Sequence, residues 1–168
     1  MRLFFALWPA EDVTLRLAGA ASLLKVEGRG RLVSSRNYHM TLAFVGEVAE
    51  LKLAVLQQIG RSMRASRFTV VCDALEFWAR PRAVVAAVQE TPPALLDLSA
   101  RLHDAIGLPR APWRAHVTLA RKVTQAPVLP AMSPIAWRAA QFSLIRSDTG
   151  GAESAYTVVD TWQLLDKS

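Results

Sequence analysis

The order of apolar and polar positions predicts helices and strands that intermix along the chain. Short apolar runs, several rich in β-branched residues, predict strands at 2–8, 37–45, 68–78, 83–88, 115–122, 136–146 and 155–165. Apolar residues recurring every three or four positions predict helices at 10–26, 47–65 and 92–106. This irregular order is typical of an α+β fold and not of a parallel doubly wound sheet.

Each predicted helix has an apolar stripe, and loops separate the elements. The stripes are Val13, Leu17, Ala20 and Leu24, then Val48, Leu51, Val55, Ile59 and Met63, then Leu95, Leu98, Leu102 and Ile106. Pro92 at the first helical position and Gly107 after the last one bound the third helix. Residues 79–82 predict a hairpin turn, and 27–31, 126–134 and 147–154 predict loops.

One short stretch occurs twice. Residues 39–44 read HMTLAF and residues 116–121 read HVTLAR, and these stretches use two of the chain's 3 histidines. Each copy follows a predicted helix and loop, which indicates two similar lobes within a single domain spanning residues 1–168. A lone His-x-Thr in a strand is ordinarily a core or surface feature, but two copies sharing four residues at equal offsets are hard to attribute to chance.

The repeated residues suit displacement at phosphorus. Side chains two apart in a strand share a face, so His39 projects with Thr41, and His116 with Thr118. If an approximate two-fold relates the lobes, all four side chains face one cleft. A neutral imidazole can act as base, a protonated one as acid, and the hydroxyls can donate to phosphate oxygens. The residues alone leave the two histidines interchangeable. His103 has no Thr two residues on, so we expect it at the surface or flanking its helix.

The composition and net charge bear on the partner, the bound groups and the location of the protein. The 168 residues carry a formal charge of +6 with a pI of about 10.2, mostly from arginine, which a phosphate-bearing partner or ordinary solvated faces would explain. Cys72 is the only cysteine, and neither histidine motif has a carboxylate nearby, so we expect no disulfide, metal or cofactor. No signal-like or membrane-length apolar run occurs, which favours a cytoplasmic protein without membrane contact.

Four stretches carry a resemblance to a known family. They are RLFFALWP at 2–9, RNYHMTLAFVG at 36–46, WRAHVTLAR at 113–121 and FSLIRSDTGGAESAYTVVDTWQL at 142–164. Together they resemble the two-histidine phosphoesterase superfamily, and within it the RNA 2',3'-cyclic phosphodiesterases, historically called 2'-5' RNA ligases. The resemblance implies two pseudo-symmetric lobes, each an antiparallel sheet with outer helices, around a central cleft.

The resemblance also implies an activity and roles for the motif residues. The family hydrolyses RNA 2',3'-cyclic phosphate ends to 2'-phosphates without metal. His39 would protonate the departing 3' oxygen, His116 would take a proton from the attacking water, and Thr41 and Thr118 would hold the phosphate. We therefore expect a monomer that acts on RNA ends, with tRNA fragments as one candidate.

Phe44 and Arg121 stand five residues after the two histidines, and the resemblance implies that they grip the terminal base. An odd offset places a side chain on the opposite face of a flat strand, so this role requires a bulge, a strong twist or a strand end. The alternative for Phe44 is a core position, whereas Arg121 is costly to bury unpaired. Nearby Trp113, Arg114 and Arg36 either shape the rim of the cleft or are solvated.

Two other functions remain open at this point. An RNA-end binding module would use the histidines only to hold phosphate, although it would not need them in matched positions. A sibling phosphoesterase would act on small cyclic or 2'-5' linked nucleotides. Joining of RNA through a 2'-5' bond is the reverse chemistry, with a ribose hydroxyl in place of water.

Overall fold

A computed structural model describes residues 1–109, 112–148, 150 and 154–166. Its strands are β1 Arg2–Leu7, β2 Arg31–Leu32, β3 Met40–Glu47, β4 Phe68–Cys72, β5 Ala74–Trp78, β6 Ala83–Ala87, β7 His116–Arg121, β8 Ile135–Ala139, β9 Gln141–Asp148 and β10 Ala155–Gln163. Its α-helices are α1 Glu11–Ser22, α2 Leu53–Ser62 and α3 Pro93–Ile106. In the part of the chain that is described, no helix is long and apolar enough to cross a membrane.

Two four-stranded antiparallel sheets form the two lobes. Their strand orders are β10-β9-β1-β3 and β2-β7-β6-β5. A two-stranded sheet of β4 and β8 joins them, because β4 runs past Asp73 into β5 and β8 runs past Ala140 into β9. Helix α1 packs on β7 and β8, α2 on β9 and β10, and α3 on β3. The α+β fold with antiparallel sheets and outer helices is confirmed.

Both large sheets have two buried faces. In β1, Leu3 and Phe5 belong to the main core, whereas Phe4 and Ala6 belong to a second cluster on the other face. Strand β6 divides in the same way: alternate residues join the main core, and Ala83, Val85 and Ala87 form a third cluster. Burial on both faces explains why these strands read as nearly continuous apolar runs.

The predicted helix at 47–65 was too long, and two of its five stripe residues were wrongly placed, whereas Met63 is buried and Val48 and Ile59 pack against the core. Residues 50–52 form a 3-10 turn and α2 covers only Leu53–Ser62. Leu51 and Val55, which the sequence placed on the buried stripe, are 90% and 53% exposed, and the buried residues are Leu56 and Gly60. The 3-10 turn has about 3.0 residues per turn instead of 3.6, so a stripe counted across it loses phase.

Other predicted boundaries of strands and helices differ from the observed ones, because pairing between strands sets them. The predicted strands 68–78 and 136–146 each split, at Asp73 and Ala140, since their halves pair in different sheets. Helix α1 ends at Ser22 and not at the predicted residue 26. Strand β2 consists of the last residue of the predicted loop 27–31 and the residue that follows it. The hairpin about residues 79–82 and helix α3 with its left-handed Gly107 cap are confirmed. Of the predicted loop 147–154, residues 149 and 151–153 lie outside the described residues.

Gly60 provides a test of the α2 packing. A Cβ at this position would overlap the ring of Trp162. We expect Gly60→Ala to lower the free energy of unfolding, because overpacking costs roughly 1–3 kcal/mol whereas the gain in helix propensity is about 1 kcal/mol. Gly19→Ala is the matched control: it lies in α1 with nothing within 4 Å, and should raise stability by about 0.5–1 kcal/mol.

Urea unfolding followed by circular dichroism measures both variants. If Gly60→Ala is as stable as Gly19→Ala, then α2 is not seated against β10 as described.

Candidate active site

Both motif strands contain a β-bulge at the same motif position. In β3 the two residues flanking Leu42 pair with consecutive residues of β1, and in β7 the two residues flanking Leu119 pair with consecutive residues of β6. In each case the leucine is the extra residue, and the alanine after it is buried as well. A bulge shifts the alternation of side chains by one, so the residue five after each histidine returns to the face of that histidine.

The bulges place Phe44 and Arg121 on the open side of their strands. Phe44 is 46% exposed, which rules out the core position considered from the sequence, and the guanidinium of Arg2 lies 4.8 Å above its ring. Arg121 is exposed, and its positive charge lowers the pKa of both His39 and His116. The two motifs therefore share one electrostatic environment.

Donors from outside the strands satisfy the carbonyls at the bulges. The Ser99 hydroxyl, on α3, donates to the Leu42 carbonyl oxygen at 2.8 Å. The backbone N–H of Val33 donates to the Leu119 carbonyl oxygen, also at 2.8 Å. The Trp113 indole N–H donates to the carbonyl oxygen of Thr41 at 3.1 Å. Since Trp113 precedes the second motif, this last bond ties the two motif segments together.

Each of the two motif histidines is hydrogen-bonded to the backbone carbonyl oxygen of the residue two positions before it. The Nδ1 atom of His39 lies 2.7 Å from the Asn37 carbonyl oxygen, and Nδ1 of His116 lies 2.7 Å from the Arg114 carbonyl oxygen. A carbonyl only accepts, so Nδ1 carries the proton and Nε2 is left to exchange protons with a ligand. Neither Nε2, nor the hydroxyl of Thr41 or Thr118, has a hydrogen-bond partner among the residues described.

Aromatic rings enclose His39. Trp8 stacks on it with centroids 5.5 Å apart and an interplanar angle of 10°. Phe4 approaches to 4.9 Å, and Tyr156 meets it edge-on at 5.1 Å. The pKa of His39 is lowered to about 4: burial is the largest cause, the Asn37 carbonyl opposes it, and the charges of Arg121 and His116 add to the lowering. His39 is neutral in the free protein.

His116 lies beside the ring of Trp78 and near the ion pair of Arg114 with Glu76. Trp78 lies 4.5 Å from the imidazole, and its indole N–H donates to Glu76 at 2.7 Å. Both Glu76 oxygens accept from Arg114 at 2.8 Å, which holds the pKa of the Glu76 carboxyl below its usual range. Burial lowers the pKa of His116 and the Arg114 carbonyl opposes this, whereas the charges of Arg121 and Arg114 each lower the pKa by more than the Glu76 charge raises it.

The sequence identified the motif residues but not the side chains that surround the two histidines. Phe4 and Trp8 share a face of the first strand region and Trp78 ends a strand, yet no spacing indicates which strand lies beside which. The support residues missed are Phe4, Trp8, Glu76, Trp78 and Tyr156. Arg114 forms an ion pair with Glu76, and Arg36 is exposed and donates from Nε to the Ser34 hydroxyl. His103 lies on α3, where its Nδ1 is hydrogen-bonded to the Ser99 carbonyl oxygen.

Taken together, the arrangement can transfer two protons and bind an anion. Displacement at a phosphate needs groups that exchange protons and groups that bind an anion. The site offers two Nε2 atoms with free lone pairs in the neutral state, two free hydroxyls and one arginine charge. No group of three or more His, Cys, Asp or Glu side chains among the described residues is arranged to hold a metal ion.

Comparison with known proteins identifies a family. A sequence model of the 2'-5' RNA ligase superfamily matches residues 15–151. The chain is 30% identical to the RNA 2',3'-cyclic phosphodiesterase of Escherichia coli (strain K12), over 97% of this chain and 96% of the relative. It is 27% identical to the RNA 2',3'-cyclic phosphodiesterase of Thermus thermophilus, over 98% and 90%.

A solved structure extends the likeness to the backbone. The crystal structure of E. coli LigT complexed with ATP superposes with a TM-score of 0.89 at 27% identity, covering 97% of this chain and 96% of that one. Since the family match spans most of the sequence and the relatives align almost end to end, this chain belongs to the 2'-5' RNA ligase superfamily.

Proposed function

We propose that this protein hydrolyses RNA 2',3'-cyclic phosphate ends to 2'-phosphates, using the paired His-x-Thr motifs and no metal. The observation that carries the proposal is the matched pair of imidazoles, each with Nδ1 on a backbone carbonyl and Nε2 free, beside a free threonine hydroxyl. The names of the E. coli and T. thermophilus relatives support the same reaction.

The reaction requires two proton transfers on opposite sides of phosphorus. Water attacks the phosphorus while its proton passes to Nε2 of His116. The bond from phosphorus to the 3' oxygen breaks, and that oxygen takes a proton from Nε2 of protonated His39. Thr41 and Thr118 donate to the non-bridging oxygens, whose negative charge grows in the transition state. Exchange with solvent then returns each imidazole to its starting state.

The proton on His39 depends on the substrate. In the free protein the pKa of His39, about 4, keeps the ring neutral near pH 7, which suits a base better than an acid. A bound cyclic phosphate is an anion, and an opposite charge within about 4–6 Å raises a histidine pKa. The acid role of His39 thus rests on the family resemblance together with this substrate effect.

Phe44 and Arg121 are our candidates for holding the terminal base. Phe44 presents an exposed ring, and Arg121 offers a planar cation on the same side of the paired strands as the histidines. Bases stack on both kinds of group. A protein that fixes the base also fixes which ribose oxygen lies in line with the attacking water, and therefore fixes the product.

Two finer features belong to the same proposal. The 5' hydroxyl of a second RNA strand can take the place of the attacking water and give its proton to His116 while the bond from phosphorus to the 3' oxygen breaks, so the site can also join RNA ends through a reversible 2'-5' bond. The protein acts as a monomeric, cytoplasmic enzyme of one two-lobed domain, with tRNA fragments among its RNA partners.

Substitution of the motif histidines tests the proton transfers. We expect His39→Ala and His116→Ala each to lower kcat several hundredfold or more, because general acids and bases contribute roughly 10²–10⁴-fold each. The double variant should be little worse than either single one, since the groups act as a unit. The measurement is turnover of an RNA dinucleotide ending in a 2',3'-cyclic phosphate, with EDTA present.

His103→Ala is the matched control and should retain wild-type turnover. An inactive His103→Ala beside an active motif variant would place the site elsewhere.

The identity of the product tests the geometry. We expect only the 2'-phosphate isomer, resolved by chromatography of the hydrolysed dinucleotide. Arg121→Ala should raise KM and loosen this selectivity, whereas Thr41→Ala and Thr118→Ala should mainly lower kcat. A pure 3'-phosphate would mean that the acid and base are exchanged. An equal mixture would mean that nothing holds the base, and would favour a sibling enzyme of small nucleotides.

NMR titration tests the state of His39. In the free protein we expect its neutral ring to carry the proton on Nδ1 and to titrate near pH 4, and we expect saturating inorganic phosphate to raise this pKa. Histidine in the unfolded chain protonates near pH 6.5, so stability should fall as pH drops from 6.5 towards 4. The spectrum of His103→Ala assigns the third ring, and a His39 titration that phosphate leaves unchanged contradicts the acid role.

A further inference from the structure

A closed cycle of contacts begins and ends at His116, and it includes a carboxylate that the proposed reaction does not use. The Nδ1 atom of His116 lies 2.7 Å from the Arg114 carbonyl oxygen. The Arg114 guanidinium donates to both oxygens of Glu76, each at 2.8 Å. Glu76 Oε2 also accepts from the Trp78 indole N–H at 2.7 Å, and the Trp78 ring lies 4.5 Å from the imidazole. Glu76 is therefore the group that joins the two branches of the cycle.

Pairing of three strands brings Glu76 to the face that carries the second motif. Glu76 on β5 is the register partner of Val85 on β6, and Val85 is also the register partner of Thr118 on β7. Side chains two apart in a strand project together, so Trp78 and His116 lie on that same face. Trp78 packs on the β6 side chains of this face and so reaches His116 from two strands away.

The geometry of the ion pair gives Glu76 a fixed position. An exposed ion pair ordinarily contributes little, because holding two flexible side chains in one arrangement costs entropy, but a bidentate arginine–carboxylate pair is the exception. The Glu76 side chain is 27% exposed, and the Arg114 guanidinium carbon lies 5.4 Å from the centroid of the Trp78 ring. The three side chains thus restrain one another, and a displaced Glu76 carboxylate would disturb both contacts of the imidazole.

The first motif also fixes the residue that orients its histidine. Asn37 is the counterpart of Arg114, since its carbonyl oxygen lies 2.7 Å from Nδ1 of His39. The Asn37 side-chain amide donates to the Ser154 carbonyl oxygen at 3.0 Å. In both motifs, therefore, a side chain holds in place the residue whose carbonyl orients the imidazole. In the second motif the fixing group is a carboxylate, and it holds an aromatic neighbour of the imidazole as well.

We propose that Glu76 is a positioning residue, which holds the His116 imidazole in one orientation through Arg114 and Trp78 without contacting the substrate. Its effect on turnover rests on the proposed function. In a Ser-His-Asp triad a carboxylate accepts directly from Nδ1 of the histidine. Here the Arg114 carbonyl takes that place, and the carboxylate holds the arginine that provides it. A fixed imidazole keeps Nε2 directed at the attacking water, and a misplacement of about 1 Å can lower a rate roughly 10²-fold.

Kinetics of Glu76 variants separate positioning from substrate binding. We expect Glu76→Ala to lower kcat about 10- to 100-fold on an RNA dinucleotide ending in a 2',3'-cyclic phosphate, and to leave KM within about twofold. Glu76→Gln keeps one oxygen that can accept from both Trp78 and Arg114, so its loss should be smaller. A KM changed about tenfold with kcat unchanged would mean that Glu76 acts on substrate binding through Arg114, and would overturn the proposal.

A double variant tests whether Glu76 acts through His116. Adding Glu76→Ala to His116→Ala should cause no further loss of kcat, because a residue that acts only through another has no effect once that residue is gone. A further loss as large as that of Glu76→Ala alone would show that Glu76 acts on the reaction by another route.

Asp160→Ala is the matched control. Asp160 is 26% exposed, pairs with Arg61 and accepts from Gln57, so its carboxylate resembles Glu76 in burial and in partners. Its partners belong to α2 and not to a motif strand. Asp160→Ala should lower the free energy of unfolding and leave kcat at the wild-type level. Equal losses of kcat in the Asp160 and Glu76 variants would attribute both to destabilisation and overturn the proposal.

NMR of the imidazoles keeps the test independent of turnover. We expect Glu76→Ala to shift the ring-proton signals of His116, because the Trp78 ring no longer lies at a fixed distance from them, and to leave those of His39 unchanged. If the wild type hydrolyses no cyclic phosphate yet this difference holds, the proposed reaction fails and the positioning role stands. If the His116 signals are the same in both proteins, the positioning role fails whatever the activity.

Discussion

The bulge at the leucine of each His-x-Thr-Leu-Ala stretch is the constraint on which the site depends. A regular strand would present the histidine and threonine on one face and send the residue five positions on to the other. By inserting Leu42 and Leu119 as extra residues, the strands return Phe44 and Arg121 to the face of the histidines. The carbonyl oxygens of the two bulged leucines accept hydrogen bonds from α3 and from the segment after β2. Because other parts of the fold provide these donors, the bulges are regular features of the folded structure and not local defects.

The two motifs are alike in backbone and different in surroundings. Each imidazole accepts its orientation from a hydrogen bond to a carbonyl two residues before it, so the same local chain geometry directs the Nε2 of both rings. His39 sits among aromatic rings that carry no charge, whereas His116 sits beside a Trp78 ring that is tied to Glu76 and Arg114. Burial is the largest cause of the lowered pKa of both histidines, which reaches about 4 at His39, and at His116 the Arg114 carbonyl opposes it more than the Glu76 charge does.

The second buried face of each large sheet gives the cleft its walls. On β1 and β9 that face carries Phe4, Ala6 and Ile145, with Trp8 and Tyr156 packed on them, and it encloses His39. On β6 the corresponding face carries Ala83, Val85 and Ala87, with Ala74 and Trp78 packed on them, and the ring of Trp78 lies beside His116.

The sequence by itself determined the motif residues, the α+β class and helix α3, because these follow from residue type and local periodicity. It also showed that Phe44 and Arg121 could act with the histidines only if the strands were irregular. Tertiary structure alone decided where the bulges fall, which strands neighbour each motif and therefore which side chains surround each histidine. It also decided the splitting of two predicted strands at Asp73 and Ala140, and the true phase of α2. Spacing along the chain fixes which side chains share a face, but pairing between distant strands depends on packing that local patterns do not contain.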